Sequence, residues 1–147
     1  MSNTGTAETA GRLSRGLRSV LAVLAGFAAV VILSTLTDMA LVATGLAPPI
    51  SQSASWSAGL LLLASLYRTV FDVVGGYVAA SLAPSRPVTH ALVLGAIGMA
   101  AGTAGAIVMR EAGPAWYAWS LVVLALPATW AGARLQQMFL GRRNTRV

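Results

Sequence analysis

Cysteine is absent from the 147 residues, and so is lysine, so that every basic residue is an arginine. A chain without cysteine forms no disulfides, thiolate metal sites or cysteine nucleophiles. The other residues of active sites are also scarce, with four acidic residues and one histidine. Neither a metal-ligand cluster nor a nucleophile–base pair can be assembled from spacing, and no glycine-rich dinucleotide loop follows a strand. The sequence therefore predicts no enzyme activity, no bound metal and no cofactor.

Charge of any kind is sparse. Charged residues make up 10% of the chain and hydrophobic residues 56%, whereas an average soluble domain carries about 25% charged residues. A soluble chain of this composition would have too few polar side chains to cover its surface. The formal net charge of +6 would suggest nucleic acid in a soluble protein. Here the placement of the arginines indicates membrane topology instead, and we expect no nucleic-acid partner.

Four apolar segments are long enough to cross a bilayer, which takes about 20 residues. They cover residues 19–45, 56–83, 88–109 and 115–138. Proline-containing turns separate them, because proline cannot continue the helical hydrogen-bond ladder. We predict an all-α polytopic membrane protein with one antiparallel four-helix transmembrane domain over residues 18–140. A disordered cytoplasmic tail over 1–17 precedes this domain, and a basic cytoplasmic tail over 141–147 follows it.

The arginines predict the orientation of these spans. Four spans place both termini on one side, together with the turn between the second and third segments. That side holds Arg12, Arg15, Arg18, Arg86, Arg134, Arg142, Arg143 and Arg146, and the other side holds Arg110. Positive residues remain on the cytoplasmic side of the membrane. We therefore predict a multi-pass protein of the bacterial inner membrane with both termini in the cytoplasm.

Three charged residues, Asp38, Arg68 and Asp72, lie within the predicted spans. A charge at the bilayer centre costs roughly 2.5–3.5 kcal/mol even on a lenient scale, so it needs a partner or a polar cavity. Asp38 lies about 10 Å below the outer end of the first span, and Arg68 about 18 Å below that of the second. Helical side chains tilt toward the N-terminus, so these two heads approach each other. We expect Asp38–Arg68 to be the main interhelical pair, with Asp72 as a second acceptor.

This intramembrane charge cluster has two interpretations. A buried ionic clasp would fix the pairing of the first two helices. Alternatively, two carboxylates against one arginine leave one carboxylate in excess, and such a group could load and unload protons or ions. His90, at the start of the third span, is expected to cap the turn between Pro84 and Pro87.

Small residues recur along the third span at spacings of four, three, four and three. They are Ala91, Gly95, Gly98, Gly102 and Gly105. In lipid, helices associate by close backbone approach, which small side chains permit. This helix-packing seam predicts either tight packing within the bundle or a homodimer interface through the third helix. In both cases, leucine at Gly98 or Gly102 should force the helices apart.

The stretch from Tyr67 to Ala91 carries a recognisable pattern. It contains Gly-Gly-Tyr-x-Ala-Ala at 75–80, a proline-bounded basic turn at 84–87, and His-Ala-x-x-x-Gly from His90. This stretch resembles a family of small, uncharacterised four-span proteins of bacterial inner membranes. The resemblance implies a four-helix integral membrane protein but no activity, so it assigns no functional residues. The small multidrug transporters share the size and span count, but the strong arginine bias and the second-span arginine depart from them.

Two functions are consistent with these features. The leading hypothesis is a non-catalytic structural or accessory subunit of the inner membrane, with the lipid bilayer and a homo-oligomer or larger membrane complex as its partners. The alternative is a small oligomeric transporter or proton-coupled channel that uses Asp38, Arg68 and Asp72. Water access to the two aspartates would distinguish them, because a clasp is dry and a pathway opens to at least one side.

Overall fold

The computed structural model describes residues 3–49, 55–108, 110 and 113–144, with side chains from Ser14 to Leu140 within those ranges. The described chain consists of four helices: α1 (Asn3–Ala43), α2 (Ala58–Leu82), α3 (Pro87–Val108) and α4 (Ala115–Asn144). Each contains a stretch of 22 to 30 residues that is long and apolar enough to cross a membrane. The predicted all-α four-helix bundle is confirmed, and the chain is a multi-pass membrane protein by the length and composition of its helices.

Local sequence explains where the helices begin and end. Gly45, at φ 72°, ends α1 in a left-handed conformation that glycine adopts without strain, and Leu46 N donates to the Leu41 carbonyl at 3.0 Å. The Ser57 side chain caps α2 by accepting from Leu60 N at 3.3 Å. Pro87 occupies the first position of α3, where its missing N–H costs nothing. The predicted spans agree with these bounds to within two residues at every end except the start of α1 and the end of α4; residue 109 lies outside the described part.

The first and last helices extend beyond the predicted spans. In place of the disordered tail predicted for residues 1–17, α1 is helical from Asn3 onward, and residues 1–2 lie outside the described part. This segment contains no proline, and its alanine, leucine and arginine residues favour a helix. At the other terminus α4 continues to Asn144, into the predicted basic tail of 141–147.

We call the end of the bundle where α1 begins and α4 ends the near end, and the opposite end the far end. In the near half, glycines bring the helices into backbone contact. A Cβ atom at Gly26 of α1 would lie 2.7 Å from the Gly75 carbonyl of α2, and one at Gly132 of α4 would lie 2.7 Å from the Tyr77 amide. A Cβ atom at Gly76 would lie 2.7 Å from the Cα of Thr129. These positions accept no larger residue unless the backbone moves, so α2 is held closely by α1 and α4.

The helix-packing seam of α3 faces α4 for most of its length. Ala91 is fully buried beside Ala80 and Ala133. A Cβ atom at Gly95 would lie 3.2 Å from Leu126 Cα, one at Gly98 would lie 3.7 Å from Ala125, and one at Gly102 would lie 3.1 Å from Val122. At Gly105 it would meet nothing within 4 Å. The seam therefore serves packing within the chain as far as Gly102, and Gly105 borders open space.

A cluster that includes aromatic and aliphatic side chains fills the far half of the α1–α2 contact. Ala47, Trp56, Leu61 and Ala64 form a buried cluster there, flanked by Leu41, Val42, Leu60, Tyr67 and Tyr117. The Trp56 indole donates to the Pro48 carbonyl at 3.2 Å and so ties the α1–α2 connection to the start of α2. The charged residues lie on the side of this cluster that is closer to the middle of the bundle.

Candidate functional site

Asp38 of α1 is the centre of a hydrogen-bonded cluster with two residues of α2, which we call the clasp. Arg68 Nη2 donates to Asp38 Oδ2 at 2.5 Å, and the Tyr67 hydroxyl donates to Asp38 Oδ1. Each carboxylate oxygen thus has its own donor, and Asp38 is only 7% exposed. The predicted pairing of Asp38 with Arg68 is confirmed. It arises because α1 and α2 are antiparallel, so that the two side chains tilt toward each other.

Tyr67 is the member of the clasp that sequence reasoning missed. Its ring lies beside the Arg68 guanidinium, 6.0 Å from the ring centroid to Cζ, and packs on Phe71 at 5.7 Å. The sequence does contain a signal for this contact, which is a tyrosine next to an arginine in an apolar span. A phenol buried in hydrocarbon needs a hydrogen-bond partner for its hydroxyl. A charged acceptor is the strongest partner in reach.

Asp72 does not act as the predicted second acceptor. It is half-buried one helical turn beyond Arg68 on the same face of α2, and among the described residues it makes no ion pair or hydrogen bond. The direction of the Arg68 side chain explains this, because it tilts toward the start of α2, where Asp38 lies, and hence away from Asp72. The structure therefore brings Asp38 and Arg68 together and leaves Asp72 outside the clasp.

The hydroxyl side chains near the clasp bond within their own helices. Thr37 donates to the Leu33 carbonyl at 2.9 Å, and Ser65 donates to the Leu61 carbonyl at 3.0 Å. These two hydroxyls thus satisfy their hydrogen bonds within their own helices rather than across the α1–α2 interface. The interhelical polar contact between α1 and α2 therefore depends on the clasp.

A cavity of about 580 Å³ lies between α2, α3 and α4 in the far half of the bundle. It begins where the helix-packing seam opens, and its wall includes Leu61, Gly102, Gly105, Tyr117 and Leu121. Arg68 lines it as well, with its side chain 32% exposed, so this arginine contacts both the clasp and the cavity. The described residues that line the cavity include two arginines, Arg68 and Arg110, and no acidic side chain.

His90 lies away from this site. Its Nδ1 lies 3.2 Å from the Arg86 carbonyl in the α2–α3 turn, which confirms the expected cap of the turn between Pro84 and Pro87. In the described part of the chain, no three histidine, aspartate or glutamate side chains form a group that could hold a metal ion.

Comparisons with protein-family models, with curated proteins and with solved structures found no match to this chain. The site geometry and the membrane-spanning fold are therefore the basis for any functional conclusion.

Proposed function

We propose that this chain is a non-catalytic structural or accessory subunit of the bacterial inner membrane. The observation that carries the proposal is the closed geometry of the clasp, in which a nearly buried carboxylate has a donor for each oxygen, both from the neighbouring helix. A carboxylate held in this way is an anchor between helices, because releasing it would leave an unpaired charge in a low-dielectric site.

Packing in the near half supports a static role. The contacts of Gly26 with Gly75 and of Gly132 with Tyr77 join backbones directly, without flexible side chains between them. Close-packed interfaces of this kind resist continuous deformation. The proposal also includes both termini in the cytoplasm, which is supported by the arginine distribution. It includes a homo-oligomer or larger membrane complex, and the family resemblance noted from the sequence is part of the same proposal.

A second candidate function is a small oligomeric transporter or proton-coupled channel using Asp38, Arg68 and Asp72. The observation that favours it is Asp72, a half-buried carboxylate that has no ion-pair partner among the described residues. It lies one helical turn from Arg68, which itself lines a cavity. Intramembrane carboxylates without a fixed partner are typical of proton relays.

Reconstitution into liposomes separates the two candidates. The protein would be incorporated with a trapped pH-sensitive dye, and a membrane potential would be imposed with potassium and valinomycin. For a structural subunit we expect a proton flux equal to that of protein-free liposomes, unchanged by Asp72→Asn. A protein-dependent flux that Asp72→Asn abolishes would contradict the structural role and establish the channel. The matched control is Glu8→Gln, which removes an acidic residue that the span predictions place outside the membrane.

A further inference from the structure

We propose that the cavity between α2, α3 and α4 binds a compact organic monocarboxylate with an apolar body, and that Arg68 holds the carboxylate. This inference goes beyond the structural role proposed above, because it assigns the chain a ligand. It depends on three features of the cavity: its size, its charge and its depth.

The size of the cavity suits a small organic molecule. A volume of about 580 Å³ falls within the range of about 300–1,000 Å³ that is typical of ligand pockets. The walls are mostly apolar, from Leu61 of α2, Ala106 and Ile107 of α3, and Leu121 of α4. From Gly102 to Ile107 the α3 side of the cavity extends about 7.5 Å along the helix axis, and Arg110 lies beyond the end of α3. The cavity volume leaves room for an apolar body of about ten carbon atoms.

The donors of Arg68 favour an anion. Arg68 uses Nη2 for Asp38, and its side chain is 32% exposed and lines the cavity. A guanidinium has five N–H donors in a planar fork, so a ligand carboxylate can accept from donors that Asp38 leaves on the cavity side. Tyr117, on the opposite wall, adds a hydroxyl to the same region. Arg110 and the first residue of α4, Ala115, line the far rim of the cavity.

The depth of the cavity limits the charge of the ligand. Arg68 is the eleventh residue of the 25-residue helix α2, which places its Cα about 15 Å from the start of that helix and near the middle of a bilayer. The desolvation cost of an ion at that depth is high and increases steeply with its charge. A singly charged carboxylate is therefore favoured over a phosphate, and lipid headgroups at the surface lie too far from Arg68.

Binding of decanoate to the purified full chain tests this proposal. Equilibrium dialysis of radiolabelled decanoate would be measured in an uncharged detergent, with protein-free micelles subtracted. We expect saturation at one site per chain. Decanamide, which has the same shape without the charge, should bind at least tenfold more weakly. Equal binding of decanoate and decanamide would overturn the proposal and identify the cavity as an apolar groove.

Two matched glycine variants connect binding to the cavity. Cβ atoms at Gly105 and Gly59 would each meet nothing within 4 Å, and only Gly105 lines the cavity. Gly105→Leu should therefore fold normally and weaken decanoate binding at least tenfold, whereas Gly59→Leu should bind as the natural protein does. A folded Gly105→Leu variant with unchanged affinity would overturn the proposal.

The role of Arg68 needs a variant that removes its charge without leaving Asp38 unpaired. The double change Asp38→Asn with Arg68→Gln keeps the clasp neutral. We expect at least a tenfold loss of decanoate affinity in this variant and no loss of the weak decanamide binding. Retention of decanoate affinity would overturn the assignment of Arg68 as the carboxylate-binding residue.

Discussion

At the residue scale, Arg68 connects the two notable features of this protein. Its Nη2 atom pairs with Asp38 at 2.5 Å, and the rest of its side chain reaches the cavity. Arginine suits both tasks, because its guanidinium has five N–H donors arranged as a planar fork and remains charged in an apolar environment. Asp38 has no free acceptor in the clasp, since both of its carboxylate oxygens accept hydrogen bonds from α2. Removing Arg68 alone should therefore affect stability differently from removing both charges together.

Arg68→Ala should destabilise the bundle more than the double change Asp38→Asn with Arg68→Ala. The single change leaves the Asp38 carboxylate with only the Tyr67 hydroxyl, whereas the double change replaces it with a neutral amide. Polar contacts between membrane helices average about 0.6 kcal/mol and reach about 1.7 kcal/mol, so we expect a coupling energy in that range. A double-mutant cycle of unfolding free energies in detergent measures it. Strict additivity would mean that the two residues do not interact.

At the element scale, α2 is the helix on which the others are organised. Its face from Leu61 to Ala80 contacts α1 through Gly75, α4 through Gly76 and α3 through Ala80. Small residues let all three helices approach the α2 backbone closely. Van der Waals contact then holds the helices together, because lipid provides no hydrophobic force between them. The glycines of α3 are less uniform: a Cβ atom at Gly102 would lie 3.1 Å from Val122 of α4, whereas one at Gly105 would meet nothing within 4 Å.

Alanine substitutions at two glycines should change stability by different amounts, because one glycine is in a tight helix contact and the other borders open space. Gly132→Ala adds a methyl group 2.7 Å from the Tyr77 amide, where only backbone movement can make room. We expect a loss of about 1–3 kcal/mol in the free energy of unfolding. Gly105→Ala meets nothing within 4 Å and should leave stability unchanged or raise it slightly. Thermal unfolding of both variants in detergent provides the comparison, and equal effects at the two positions would contradict the packing described for the near half.

At the scale of the whole molecule, the two ends of the bundle differ. The near half is held by glycine and alanine contacts, while the far half contains the clasp, the aromatic cluster and the cavity. The arginines are also divided unequally. Arg86 lies in a near-end turn, and Arg134 of α4 stacks on Trp130 at 5.1 Å toward the same end. This asymmetry predicts one favoured orientation in a membrane.

Reporter fusions can test that orientation. Fusions after residues 50 and 112 should report the periplasm, and a fusion after residue 86 should report the cytoplasm, because the predicted spans place eight arginines on the side of the termini and one on the opposite side. Alkaline phosphatase is active only in the periplasm and a fluorescent protein that folds only in the cytoplasm gives the complementary signal. The opposite result at any one of the three positions would contradict the four-span topology.

The fold class, the four spans and the pairing of Asp38 with Arg68 can be predicted from the sequence. These follow from local or one-dimensional properties: apolar length sets the spans, proline sets the turns, and axial depth with side-chain tilt brings the two charges together. Tertiary structure decided the rest. The participation of Tyr67, the exclusion of Asp72, the tight contacts of Gly76 and Gly132, and the cavity beside Gly105 all depend on how each helix is rotated and where it crosses its neighbours. In lipid, helix rotation and crossing are set by the shape fit of all four surfaces at once, and the spacing of residues along a single helix does not contain that information.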